Sequence, residues 1–233
     1  MALHYLLWKG TNSSTKHIRV RNRMPIVRPQ ERVEHIAIPG RPGELTQVEG
    51  ENIYESYIQT AQISVVGAEN VEAAEAWLTG EGYVTFDSQP TLRQMARVIN
   101  AVTLEKHSRN VDTWQADVQF YCDPIKHAVG ETAINVTSSG TSIANPGNLP
   151  AFPLLKVTGS GAVSIACGGN TIVIPDLTSG WVIDCENKWI LASGVPQYNA
   201  YTGEFPVLQV GNSTMTFTGS ITKIEVTPNW RYL

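Results

Sequence analysis

The sequence predicts a mainly β protein, in which a β-rich α+β first domain with one helix is followed by a β-sandwich. Apolar and polar residues alternate with a period of two over 57–65 and 114–122, as is typical of strands with one buried face. After residue 136, glycine and proline separate about seven short apolar runs, a spacing that is typical of a sandwich. The hydrophobic share of 42% and the charged share of 16% indicate a globular chain.

The division into two domains, 1–135 and 136–233, follows from the distribution of charge. Residues 1–135 hold 13 of the 17 Lys and Arg residues and 16 of the 21 Asp and Glu residues. Segments 137–142 and 145–148 consist of small, polar, glycine- or proline-containing sequence, which indicates a linker and a turn. We therefore place the boundary near residue 136.

Regular elements of the first domain follow from the same patterns. Pro124 is predicted to end the strand over 114–122, since proline cannot donate to a sheet ladder. An apolar stripe predicts a helix over 71–79, with Asn70 as its N-terminal cap and Gly80 at its C-terminal end. Residues 91–106 fit both a helix face and a strand face; the strand pattern is longer, and we choose a strand.

Short strands are predicted in the second domain from its β-branched and apolar runs. They lie near 153–157, 162–167, 171–174, 181–184, 188–191, 214–217 and 222–227. The glycine-rich segments 159–161 and 168–169 lie between these runs and lack a following helix. They are therefore predicted to be turns rather than phosphate-binding loops.

Composition and motif spacing argue against several functional classes. A net charge of −4 gives no basic face for nucleic acid, and no apolar run is long enough for membrane insertion. Residues 1–8 lack the basic lead and cleavage site of a signal peptide. Three widely spaced cysteines are expected to be reduced thiols. No metal-ligand spacing and no nucleophile elbow occurs, so we assign no catalytic residue, no metal ligand and no cofactor.

Two groups of residues in the second domain could carry chemistry. Asp184 and Glu186 could be an acid/base pair, although two carboxylates at a strand end are more often solvated edge protection. Four aromatic residues could stack on sugar rings or contact a partner, although core packing is the simpler interpretation. They are Trp181, Trp189, Tyr198 and Tyr201.

Two proline-containing segments form a candidate oligomer-interface arm. Proline fixes φ and lacks an N–H, so residues 24–32 are expected to be extended, and neither Pro25 nor Pro29 can donate to a sheet ladder. A strand over 36–38 then runs into a tight loop rich in glycine and proline. The residues that we assign to the arm are Pro25, Arg28, Pro29, Arg32, Pro39, Gly40, Arg41 and Gly43. In an assembly, such an arm would reach a neighbouring subunit.

The order of motifs resembles that of siphophage distal tail proteins. The matching segments of the first domain are 5–10 with Ser13 and Ser14, 25–32, 38–45, 77–78, 82–87 and 120–124. Those of the second domain are 145–147, 153–157, 183–184 and 203–212. The ordered set spans nearly the whole chain, while the charged spacers 46–56 and 105–112 depart from the pattern.

The resemblance implies a structural virion protein that is not an enzyme. Its first domain would form a homo-hexameric ring at the distal end of a long non-contractile tail, between the tail-tube protein and the tail-associated hub protein. DNA would pass through the channel without specific binding. The second domain would project as a galectin-like β-sandwich. The implied location is the tail tip of the virion, after assembly in the bacterial host cytoplasm.

Three other functions remain as alternatives from the sequence. The first is a carbohydrate-binding baseplate module that contacts the host surface through the second domain. The second is a tube or neck component of the same particle, and the third is an enzyme of the cell envelope.

Overall fold

The chain divides into two compact units in a computed structural model that describes residues 4–178 and 180–233. Unit 1 comprises the described residues up to Lys126 together with Leu233, and unit 2 comprises His127–Tyr232. The division therefore falls before the predicted boundary near residue 136, because Ile134–Val136 already pairs with a strand of unit 2. Residues 1–3, part of the stretch considered for a signal peptide, lie outside the described residues.

Unit 1 is built mainly from antiparallel strands. They are β1 (Leu6–Trp8), β2 (Thr11–Asn12), β3 (Ile18–Val20), β4 (Val33–Ala37), β5 (Glu44–Val48), β6 (Tyr57–Val66), β7 (Glu81–Phe86), β8 (Leu92–Val98), β9 (Glu105–Ser108) and β10 (Val111–Ala128, whose last two residues belong to unit 2). The helical elements are α1 (Val71–Trp77) and the 3-10 turns Ser13–Lys16 and Ala68–Asn70.

The main sheet of unit 1 has the strand order β2-β1-β7-β8-β10-β6-β3, and β9 pairs with β10. A bridge between His4 and Val20 brings the two ends of this sheet together, so the sheet curls around its own core. The rings of Trp8 and Phe86 pack edge-to-face on Phe120, with centroid distances of 5.2 and 5.9 Å. Such pairs add specific geometry to the burial of apolar area.

The predicted helix is present, but its N-terminal cap differs from the prediction. Asn70 makes no side-chain cap hydrogen bond, because its Nδ2 instead donates to the Val66 carbonyl oxygen at 2.7 Å. Asn70 also has helical backbone angles, whereas a capping residue is normally extended. Gly80 follows the helix with φ of +72°, as expected of a glycine after a helix end.

Two further expectations for unit 1 can be compared with the strands. Residues 92–98 form β8, which confirms the choice of strand for the first half of 91–106, whereas residues 99–104 belong to no strand and the prediction is wrong there. The expectation that Pro124 ends its strand is wrong, because β10 continues to Ala128. Pairing of β10 with β6 stops at Cys122, so that ladder needs no N–H from Pro124.

Unit 2 contains the remaining strands. They are β11 (Ile134–Val136), β12 (Thr141–Asn145), β13 (Leu154–Cys167), β14 (Asn170–Leu177), β15 (Trp181–Asp184), β16 (Trp189–Ala192), β17 (Val195–Pro196), β18 (Thr202–Gly203), β19 (Gly211–Thr227) and β20 (Arg231–Tyr232). Segment 141–145 is therefore a strand that pairs with β19, and not part of a linker as predicted.

The long strands β13 and β19 form the spine of unit 2. Residues 154–160 of β13 pair with the C-terminal half of β19 and, through 154–157, with β15. Residues 161–167 of β13 pair with β14, and residues 164–166 also with the N-terminal half of β19. Register shifts separate the two halves of the β13–β19 pairing, and residues from both halves share one buried core. The paired strands β13 and β19, here called the β13–β19 ribbon, thus bend from one sheet into the other, as strands at the corners of a sandwich do.

Glycines explain why the bend occurs where it does. A Cβ atom at Gly159 would clash with the backbone of Ser220, and one at Gly219 would clash with the Ala162 carbonyl oxygen. The prediction of a turn at 159–161 is therefore wrong: these residues form a bulge inside one continuous strand. The predicted turn at Gly168 and Gly169 is confirmed, since both have positive φ and join β13 to β14.

Candidate assembly interface

An exposed β-hairpin is the main surface feature of unit 1. It consists of β4 and β5, which form a two-stranded sheet of their own, from Val33 opposite Val48 to Ala37 opposite Glu44. All residues of β4 and β5 except Val33 are exposed. A two-stranded sheet alone is marginally stable in water, so this hairpin is suited to completion by another surface.

The two faces of the hairpin carry different apolar pairs. Ile36 and Leu45 lie directly opposite each other and therefore point to the same face, with 36% and 45% of their surfaces exposed. On the other face, His35 Nδ1 lies 3.8 Å from the Glu44 carboxylate, and Val48 is 50% exposed. Each face therefore carries one apolar cross-strand pair beside polar residues, Ile36 with Leu45 on one face and Val33 with Val48 on the other.

Backbone hydrogen bonds continue beyond the open end of the hairpin, between residues 30–32 and 53–55. The Arg32 N–H donates to the Ile53 carbonyl at 3.0 Å, and the Glu55 N–H donates to the Gln30 carbonyl at 2.8 Å. The Arg32 guanidinium also lies 3.5 Å from the Glu49 carboxylate. The hairpin and its base thus form one ladder-like projection rather than an irregular loop.

The extended segment 24–28 is anchored to the sheet by two buried polar side chains. Gln59 Nε2 donates to the Pro25 carbonyl at 2.7 Å, and Lys126 Nζ donates to the Val27 carbonyl at 3.1 Å. Only 4% of the surface of Lys126 is exposed, and this burial lowers the pKa of its ammonium, while the Cys122 thiol acts in the opposite direction. A buried ammonium needs hydrogen-bond acceptors, and the proline-stiffened backbone supplies one.

Most residues assigned to the arm are accessible for contact. Exposed positions are Pro25, Arg28, Arg32, Pro39, Gly40, Arg41 and Gly43. Pro29 is the exception, because it is buried. The tip is a tight loop in which Gly40 and Gly43 have φ of +81° and +83°. Conformations of this kind favour glycine, which accounts for the sequence of the tip.

The four aromatic residues of unit 2 do not form one platform. Trp181 is buried in the core and lies opposite Ala192, whereas Trp189 lies at the other end of the same strand pair. Tyr198 is 80% exposed. The half-buried Tyr201 packs edge-to-face on Phe205, with centroids 5.2 Å apart. Of the four, Trp181 is the one whose burial fits the interpretation as core packing.

Asp184 closes the turn between β15 and β16. Its carboxylate accepts hydrogen bonds from the backbone N–H groups of Glu186 and Asn187, at 3.0 and 2.9 Å. It also accepts from the Asn187 side chain at 2.9 Å and from the Trp189 indole at 2.8 Å. Burial alone would raise the pKa of Asp184, but these hydrogen bonds outweigh it and the net pKa is lowered. Asp184 is thus a carboxylate with a structural role in the turn.

The cysteines of both units are unpaired thiols in the core. Cys122, Cys167 and Cys185 are free and buried, and burial raises the pKa of the Cys122 thiol to about 12. Among residues 4–178 and 180–233, no group of three His, Cys, Asp or Glu side chains could hold a metal ion. In the same residues, no helix has the length and apolar composition that crossing a membrane requires.

Comparison of sequences found no family model and no curated protein that matches this chain. Comparison of structures found the crystal structure of the Dit protein (gp 19.1) of phage SPP1. That protein is described as a paradigm of the hub adsorption apparatus in phages that infect Gram-positive bacteria. The likeness covers 100% of both chains, with a TM-score of 0.76 and 16% sequence identity. This chain has the Dit fold.

The likeness confirms the predicted mainly β fold, and it supports the resemblance to distal tail proteins at the level of fold. Sequence reasoning missed the anchor formed by Gln59 and Lys126. The sequence did contain a sign of buried Lys126, because side chains at every second position of β10 point to the core, and Lys126 continues the series that includes Phe120 and Cys122. The assignment of Pro124 as the strand end concealed that signal.

Proposed function

We propose that this protein is a structural virion component at the tail tip of a long non-contractile phage tail. The observation that carries the proposal is the end-to-end likeness to SPP1 Dit, a protein of the hub adsorption apparatus, with both chains covered over their full length. A shared fold alone does not fix a function. Here the exposed hairpin of unit 1 adds a surface that an assembly would use.

Unit 1 forms a homo-hexameric ring in this proposal. The apolar pair of Ile36 and Leu45 packs on the neighbouring subunit, which buries the part of both side chains that is exposed in the single chain. Identical subunits that dock head to tail close into a ring when the rotation fits. Because Lys126 and Gln59 fix segment 24–28, the arm loses little conformational freedom on docking.

The ring joins the tail-tube protein on one side to the tail-associated hub protein on the other, at the tail tip of the virion. DNA passes through its channel without specific binding. The net charge of −4 supports this, because an acidic protein offers little attraction to phosphate groups. The role is structural and not enzymatic, and the hydrogen bonds that hold Asp184 in its turn fit that role.

The test is assembly of the full chain and of a variant with a shortened hairpin. Because Val33 and Val48 are cross-strand partners, residues 34–47 can be replaced by Asn-Gly, which closes a two-residue turn. Wild-type protein is expected to form six-subunit rings in negative-stain electron microscopy and to bind the hub protein. The shortened variant is expected to remain folded and monomeric. Wild-type protein that stays monomeric at high concentration, alone and with the hub protein, would refute the proposal.

A further inference from the structure

A cavity of about 430 Å³ opens at one end of unit 2, where several loops meet. Aromatic rings and polar side chains line it together. Those that matter here are Phe152, Tyr201, Phe205, Asn170, Lys188 and Glu204. Sites for small molecules typically have about 300–1,000 Å³ and combine apolar walls with a few polar groups. This cavity lies at the small end of that range.

The backbone holds the wall of the cavity in place. Gly168 and Gly203 let two segments approach closely, because a Cβ atom at either would clash with a carbonyl oxygen of the facing segment. The Glu204 N–H donates to the Thr171 carbonyl at 2.9 Å, and Asn170 Nδ2 donates to the Phe205 carbonyl at 2.9 Å. The segment that carries Tyr201 and Glu204 is therefore tied to β14, and the cavity is preformed.

The aromatic rings are also fixed. Tyr201 and Phe205 pack edge-to-face with an interplanar angle of 68°, and Phe205 is only 9% exposed. The Arg231 guanidinium lies 4.8 Å from the centroid of the Phe152 ring. Rings that are already ordered lose little rotamer freedom when a ligand stacks on them.

Two opposite charges stand at the rim of the cavity. Lys188 and Glu204 are both exposed, and within the described part of the chain neither forms an ion pair. An ammonium can only donate hydrogen bonds, and a carboxylate can only accept them. A ligand that pairs with both must carry an acceptor for Lys188 and a donor for Glu204, and hydroxyl groups can serve as either.

We infer that this cavity binds a saccharide of about one or two rings, as its volume allows. The apolar C–H face of a sugar ring packs on Tyr201, and its hydroxyl groups pair with Glu204 and Lys188. A phosphorylated ligand would require a cluster of positive charge, which the Glu204 carboxylate opposes. The inference does not depend on the proposed tail-tip role, because it rests on unit 2 alone.

The assignment differs from an aromatic platform made of the four residues singled out in the sequence. Of these, only Tyr201 lines the cavity. Tyr198 is more exposed than Tyr201 but does not line it, which makes Tyr198 a matched control. A second pair of variants, Glu204→Gln and Tyr201→Phe, changes chemistry with little change in shape.

The experiment is saturation-transfer NMR on the full chain with free sugars at millimolar concentration. The probes are glucose, galactose, N-acetylglucosamine and rhamnose, with glycerol as an acyclic control. At least one sugar is expected to receive saturation, and glycerol is not. Absence of transfer to every sugar of the panel would overturn the inference.

The variants then locate the site. We expect Tyr201→Ala to weaken binding roughly 2- to 10-fold, by analogy with the energies of aromatic contacts. Loss of the charge in Glu204→Gln is expected to weaken binding about 5- to 10-fold. Tyr198→Ala and Tyr201→Phe should bind almost as wild type, and all variants should still assemble as the wild type does. Binding that survives both Tyr201→Ala and Glu204→Gln, or that falls equally with Tyr198→Ala, places the ligand elsewhere and contradicts the assignment.

Discussion

The apolar pair on the hairpin gives the sharpest test of how the ring would be held. In Ile36→Ser/Leu45→Ser, both side chains lose the apolar surface that a neighbouring subunit would cover. Full burial of such a side chain contributes about 1.5–3 kcal/mol. The exposed fractions of 36% and 45% therefore leave about 1–2.5 kcal/mol for the pair at each contact. That loss corresponds to roughly 5- to 60-fold weaker association per contact.

Mass photometry over a dilution series measures this effect directly. The double variant is expected to dissociate to monomers at concentrations where wild-type rings persist, with unchanged melting temperature of the monomer because both side chains are exposed. Val48→Ser is the matched control, since Val48 is 50% exposed on the opposite face of the same hairpin. If the double variant forms rings as stable as the wild type, or if Val48→Ser weakens them as much, the assignment of the contact face is wrong.

Three further predictions concern the stability of the single chain. Gly219→Ala places a Cβ atom against a carbonyl oxygen at φ of +88° and should lower the stability of unit 2 by more than about 1 kcal/mol in denaturant melts. Gly161→Ala, at φ of +77° with open space around it, should cost less. Although burial opposes it, hydrogen bonding lowers the pKa of Asp184. Its contribution to stability is therefore complete above the unfolded-state pKa of about 3.9 and is lost as the pH falls through the lower folded-state pKa. Asp184→Asn should flatten that part of the melting-temperature profile. Lys126→Met removes a donor to the backbone of segment 24–28, which should be cleaved faster by thermolysin at the Ile26–Val27 bond.

Strand positions followed from sequence where one face of a strand is buried. In β6 and β10, the alternation over 57–65 and 114–122 reflects side chains that point in turn to the core and to solvent. The bulge at Gly159 could not be found in this way. Glycine in a strand and glycine in a turn give the same local signal, and only the backbone of Ser220 on the distant strand shows which one applies.

The candidate sites were predicted less completely than the fold. The extended backbone of segment 24–28 could be predicted because proline restricts φ locally, whereas its role as an interface arm stays a prediction. The return strand β5 lacks a strong alternating pattern and was not predicted. The cavity of unit 2 was missed because Phe152 and Tyr201 are far apart in sequence. Likewise, the hydrogen bond from the Asn70 side chain to the Val66 carbonyl could not be predicted, because it depends on where strand β6 ends in the folded chain.

The continuous β13–β19 ribbon has a mechanical consequence for unit 2. Both sheets contain a half of each long strand, so a pull on one sheet passes to the other along covalent backbone and not through a hinge loop. Separating the two sheets would require straightening both long strands at the bend near Gly159 and Gly219. Such a sandwich should therefore resist force as a single body and yield in one step.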